Sequence, residues 1–130
     1  MRGLLASIVL ALLVSTAAAL SPPSFMVFFS PGSTAITEEG DKTIEVVASV
    51  FRQRIDPLVV IMAHADGAEA QSSSIDLSPA RGVAVKRRLV EFGVPADRIE
   101  IQAYADWLGL VKVAPGTAEP QNRRIELFIQ

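Results

Sequence analysis

Residues 57–95, "PLVVIMAHADGAEAQSSSIDLSPARGVAVKRRLVEFGVP", change character twice. The first nine form an almost unbroken apolar run of strand length, the pattern of a central strand covered on both faces. Its C-terminal end delivers His64 and Asp66. A loop of small and polar residues follows from Gly67 to Asp76, with serines at positions 72, 73 and 74. Beyond it both ends of a helix are written out. Ser78 is a good N-cap, Pro79 suits the first helical position, and Leu77 before the cap can act as a hydrophobic staple. Val85, Leu89 and Phe92 recur as an apolar stripe, Lys86, Arg87 and Arg88 mostly face solvent, and Gly93 with Pro95 stops the helix. With Ser78 as N-cap, Arg81 takes the third helical position. A strand end and a helix start thus carry an acid and a base fifteen residues apart.

Working outward, "FMVFF" (25–29) is a short apolar run ended by Ser30-Pro31-Gly32, as a buried strand would be. From Thr37 the period lengthens. Thr37 can cap, Glu38 and Glu39 sit where a helix dipole favours anions, and Ile44, Val47, Ala48 and Phe51 recur at helical spacing up to about Arg54. "RIEIQAYA" (98–105) alternates like a strand with one wet face, a loop runs through Trp107 and Pro115 to Pro120, and "RRIELFI" (123–129) is a last strand. The order β-α-β-α-β-β gives an α+β domain with no internal repeat or linker.

The N-terminus reads differently. "MRGLLASIVLALLVSTAAAL" has a basic start at Arg2, an apolar run from Leu4 to Leu13 and small residues at Ala17 and Ala19, which predicts a signal peptide over 1–19. The rival is an uncleaved signal anchor, since the run to Leu20 approaches spanning length, but Ser15, Thr16 and the alanine triplet favour cleavage. A stator-like role with the segment retained is weakened by the short lead-in, 20–24, before the domain at 25–130. Without Arg2 the exported chain holds 11 basic and 14 acidic residues, so nucleic acid and anionic lipid are poor partners. It has no cysteine, which excludes disulfides, thiolate metal sites, a cysteine nucleophile and a lipidated cysteine. His64 and Asp66 share a face but lack the further ligands a metal needs and the third member of a catalytic triad. The serine run lacks a glycine-flanked elbow. Neither catalysis nor a cofactor is expected.

Three stretches together carry a resemblance. "MAHAD", "LSPARGVAVKRRLVEFGVPADRIEIQAYAD" and "QNRRIEL", in this order and with the interval from Asp66 to Arg81, resemble the OmpA-like C-terminal domain family, the peptidoglycan-binding module of bacterial envelopes. The resemblance covers almost all of the chain after the leader. It implies a mixed sheet with helices packed on it, a periplasmic location or one on the periplasmic face of the outer membrane, and noncovalent binding of the diaminopimelate end of the peptidoglycan stem peptide. On that reading Asp66 receives the ligand's ammonium and Arg81 pairs bidentately with its carboxylate, aided by the free N–H groups of the first helical turn. Arg123 lines the same site and holds the aspartate in place.

Each assignment has a plainer counterpart. Asp66 can serve as a structural salt-bridge partner of Arg81 or Arg123, and Arg81 as a solvated helix residue. Arg124, on the opposite face of its strand from Arg123, is expected to be a plain surface charge. Asn122 reads as a turn residue, and His64 as packed and hydrogen-bonded within the fold. The chain also departs from the family pattern. "SPG" replaces a polar residue after the first strand, Ser74 stands for the loop asparagine, Glu69 for the loop glycine, and Gly82 for a helical alanine at a cost of about 0.5–1 kcal/mol. Weakened binding follows more readily than none. The alternative is a structural or protein-interaction module with little peptidoglycan affinity, for which other envelope proteins would be the partners.

Overall fold

The computed structural model describes residues 24–72 and 74–130. The expected leader over 1–19 and nearly all of the lead-in lie outside the described residues, as does Ser73. The chain forms β1 (Phe25–Phe28), α1 (Glu38–Arg52), β2 (Val59–Ala63), α2 (Gly67–Ser72), α3 (Ser78–Glu91), β3 (Ile99–Ala103) and β4 (Arg124–Ile129), with single 3-10 turns at Ala96–Arg98 and Pro120–Asn122. The α+β reading and its element order hold, with one addition: α2 lies in the segment read as loop.

The four strands form a mixed sheet in the order β1-β4-β2-β3. β2 and β3 run parallel, joined by the α3 crossover, and β4 enters antiparallel between β1 and β2. Both helices cover one face of the sheet. Ile44, Val47, Ala48 and Phe51 of α1 and Val85 and Leu89 of α3 meet Val27, Val59, Ile61, Ile125 and Leu127, so alternate strand residues point into a single core.

Helix starts are set locally. The Thr37 hydroxyl accepts from the Gly40 N–H (3.1 Å), the cap expected of it. At α3 the expectation is corrected: Leu77 is the N-cap residue, and Ser78 makes no side-chain cap bond. The Asp76 carboxylate takes the Ser78 N–H (2.9 Å) and hydroxyl (2.8 Å), while the Ser78 oxygen accepts the Ala105 N–H (3.1 Å). With its hydroxyl spent on tying β3's end to the helix, Ser78 cannot cap. The helix therefore starts one residue earlier, and Arg81 becomes its fourth residue, its N–H already bonded to the Leu77 carbonyl (3.0 Å). The Arg81 amide is therefore not among the free first-turn N–H groups.

Gly82 also has a packing reason. A Cβ at that position would stand 2.7 Å from Ile101 Cγ2, so the missing side chain lets α3 lie close on β3.

Candidate functional site

The C-terminal end of β2, the turn after β1, the start of α3 and the start of β4 converge on a set of buried charges. Asp66 is 1% exposed, Glu69 6%, Arg81 0% and Arg123 7%. Charges so far from water require partners, and each has them.

Asp66 opens α2 as half of a capping box. Its Oδ1 accepts the Glu69 N–H (2.8 Å), and Glu69 Oε1 accepts the Asp66 N–H (3.1 Å). This reciprocal pair explains why a short helix forms where small polar residues alone would leave a loop. Asp66 Oδ2 accepts from Arg123 Nη1 (2.9 Å) and the Glu119 N–H (3.1 Å). Arg123 also donates through Nε to the Phe29 carbonyl (3.1 Å). Burial opposes the charge on Asp66, but the Glu69 N–H, the Arg123 guanidinium and the Glu119 N–H outweigh it, holding the carboxyl below its ordinary range.

Arg81 reaches from α3 to the segments that follow β1 and β2. Its guanidinium is fixed from behind by the carbonyls of Ser33 (3.0 Å), His64 (3.2 Å) and Ser30 (3.4 Å), with the Phe29 ring 5.1 Å away. Its fork meets the Glu69 carboxylate through Nη1 to Oε1 (2.8 Å) and Nη2 to Oε2 (2.5 Å). The Gly32 N–H donates to Oε2 as well (2.8 Å), from a residue at φ +67° that favours glycine. Glu69 too lies below the ordinary carboxylate range: burial works against its charge and is overcome by Arg81, the Asp66 N–H and the Gly32 N–H.

Asp66, Arg81 and Arg123 are thus brought together, and both cations already carry internal carboxylates. The expected open gap between Asp66 and Arg81 is bridged by Glu69. Ser74 is exposed and stands at the edge of this cluster, bordering a neighbouring cavity of about 280 Å³ together with Glu69, Ala65, Ala70 and Leu77. A cleft of about 240 Å³, bordered by Pro31, Gly32, Asp66, Glu69, Ser72 and Leu77, opens on the outer side of Glu69. The role of "SPG" is also visible, since its backbone supplies one carbonyl to Arg81 and one N–H to Glu69.

Three other readings are corrected. Arg124 is no plain surface charge: it is 4% exposed, paired through Nε with Glu126 (3.0 Å) and through Nη2 with the Leu108 carbonyl (3.2 Å), because the loop after β3 folds over that face. His64 is packed, 1% exposed and stacked on Tyr104 at 5.5 Å, but its ring nitrogens have no hydrogen-bond partner among the described residues. Burial first, then the positive Arg124, lowers its pKa from 6.5 to about 4, with Glu126 acting in the opposite sense. Glu69 is the functional candidate that pattern reading passed over as a mere substitution. The spacing Asp66-x-x-Glu69 was the available signal, since it is a capping box. Asn122 closes a turn as expected, its amide exchanging two hydrogen bonds of 2.9 Å with the Val111 backbone.

Comparison with known proteins agrees with this architecture. An outer membrane protein of Gluconacetobacter diazotrophicus is 27% identical over 112 residues, covering 82% of this chain and 30% of that protein. The chain spans about a third of the length of the curated relatives it matches. Among solved structures, the OmpA-like domain of FopA1 from Francisella tularensis superposes with a TM-score of 0.69 at 19% identity, covering 80% of this chain and 69% of that one. The peptidoglycan-associated lipoprotein of Burkholderia pseudomallei gives 0.68 at 19% identity, covering 82% and 90%. The family model described as the OmpA family matches residues 28–123, and the chain therefore belongs to the OmpA family.

Proposed function

We propose that this domain binds peptidoglycan noncovalently in the bacterial cell envelope, taking the diaminopimelate end of the stem peptide at Asp66, Arg81 and Arg123. The observation that carries this reading is the buried Arg81 guanidinium, anchored by three carbonyls so that its fork presents a bidentate face to a carboxylate beside Asp66. A solvated helix arginine has no such anchorage. A zwitterion needs an anion and a cation a few ångströms apart, and the cluster supplies both types next to the 240 Å³ cleft. Ser74 belongs to the proposal only as a rim residue met by the rest of the stem peptide. Residues 1–19 are proposed as a cleaved export signal, which places the domain in the periplasm or on the periplasmic face of the outer membrane. The role is one of attachment and not of catalysis. Among the described residues no helix is long and apolar enough to cross a membrane.

The test is cosedimentation with purified sacculi. The wild-type domain is expected to be retained, less so as salt rises, and Asp66→Asn and Arg81→Lys, checked for folding by circular dichroism, are expected to lower retention about tenfold. A folded wild-type domain that stays in the supernatant removes the peptidoglycan reading and leaves a structural module.

A further inference from the structure

The receptor for the Glu69 carboxylate is assembled almost entirely by other elements. Arg81 comes from α3 and the Gly32 N–H from the turn after β1, while the carbonyls that hold Arg81 belong to Ser30, Ser33 and His64. The fourth donor, the Asp66 N–H, sits at the end of β2's run. Only the occupant is supplied by α2, a six-residue helix whose single buried residue is Glu69 itself. Glu69 borders both the 240 Å³ cleft and the neighbouring 280 Å³ cavity, while the fully buried Arg81 borders neither. Four donors converging on one carboxylate, two of them a planar fork, make a complete carboxylate-binding site already filled from within.

We propose that Glu69 is an internal counter-ligand: its carboxylate holds the place on Arg81 that an external carboxylate must take, and the site opens only as Glu69 withdraws with α2. The identity of that external carboxylate rests on the peptidoglycan reading; the occupancy of Arg81 does not. Exchanging one carboxylate for another gains little, so a simple acid does not displace Glu69. A ligand that also brings an ammonium to Asp66 and fills the cleft does. Glu69 thereby sets a threshold that every ligand must overcome, its apparent affinity scaled by the open fraction of the site, and only a ligand with the further contacts at Asp66 and the cleft passes it.

The experiment has two arms, on Glu69→Ala and the near-isosteric Glu69→Gln. In the first, melting temperatures are measured in sodium acetate and in sodium chloride at equal ionic strength. Acetate is expected to raise the melting temperature of Glu69→Ala by a few degrees over chloride and to leave the wild type and Glu69→Gln, whose amide still fills the site, unchanged, because only the truncated side chain leaves a vacancy that the anion can fill. A Glu69→Ala variant indifferent to acetate, or unfolded in a way acetate does not reverse, overturns the proposal, since the carboxylate would then not be replaceable. In the second arm, retention by sacculi is expected to rise about tenfold in the folded variant over wild type. Equal retention of wild type and variant overturns the counter-ligand and leaves peptidoglycan binding standing. Acetate rescue with no retention of any form supports the counter-ligand and removes the peptidoglycan reading.

Discussion

Replacing His64 with phenylalanine should flatten the acid limb of the stability profile. The imidazole is buried at 1% exposure against Tyr104, with Arg124 near enough to disfavour a second positive charge, and its pKa falls from 6.5 to about 4. A depressed folded-state value means that, as pH drops below 6.5, the unfolded chain takes up a proton that the folded chain refuses until about pH 4. Stability from this source is complete above the unfolded value, declines across the window, and levels off below it. A window of about 2.5 pH units at about 1.36 kcal/mol each gives at most roughly 3 kcal/mol. Urea unfolding at closely spaced pH values from about 8 down to 4 measures it. The wild type should lose that amount, and His64→Phe should stay nearly level until the carboxylates begin to titrate. Asp66 and Glu69, both depressed, contribute stability that is lost only as pH falls below the ordinary carboxylate range. Equal slopes in the two proteins above pH 5, or a His64 ring proton titrating near 6.5 in the folded state, would refute the argument.

Three further outcomes are expected. Arg81→Met strands the Glu69 carboxylate and should cost about 3–5 kcal/mol in urea unfolding, whereas Arg81→Met with Glu69→Leu should cost far less; additive losses would show that the two side chains do not act as a pair. Gly82→Ala gains helix propensity worth up to about 1 kcal/mol but pushes a methyl within 2.7 Å of Ile101, so a net loss of about 1 kcal/mol is expected, and a raised melting temperature would contradict the close packing. Ala105 sits at φ +49° with both backbone groups bonded, its N–H to Ser78 and its carbonyl to Ala65, so Ala105→Gly should relieve strain and stabilise by about 0.5–1 kcal/mol, read from the shift in unfolding midpoint.

The long elements were legible because their periods are long enough to count. Val59 to Ala63, Ile44 to Phe51 and Val85 to Leu89 each show a burial pattern that the sequence repeats, and the Thr37 cap is a local signal read correctly. What escaped pattern reading depends on partners distant in the chain. α2 is too short for periodicity to register, and although the Asp66-x-x-Glu69 spacing marks a helix start, it does not show that Arg81, twelve residues on, and Gly32, thirty-seven back, converge on the Glu69 carboxylate. Ser78 was misread because its hydroxyl is claimed by Asp76 and by Ala105 beyond the crossover. Alternation correctly sent Arg123 and Arg124 to opposite faces, but alternation does not say what covers each face. The loop after β3 buries Arg124. The positions of Asp66, Arg81 and Arg123, and the hold of Arg123 on Asp66, followed from the family resemblance, while the partner of Arg81 is Glu69, which the resemblance treats as a loop position.

The sheet order has a consequence for how the chain acquires its structure. β4, the last of the four strands in chain order, lies between β1 and β2, the first two, and among the described residues no other strand pair joins β1 to the rest. During translation β1 and α1 therefore have no sheet to complete, and even the parallel pair of β2 and β3 is left with an open edge. Pairing across most of the domain's length makes folding slow relative to a helical protein of this size, since the loop-closure entropy precedes the contacts that offset it. The four-stranded sheet is complete only once β4 is in place, so a deletion within Arg124–Ile129 should abolish folding outright rather than trim one edge.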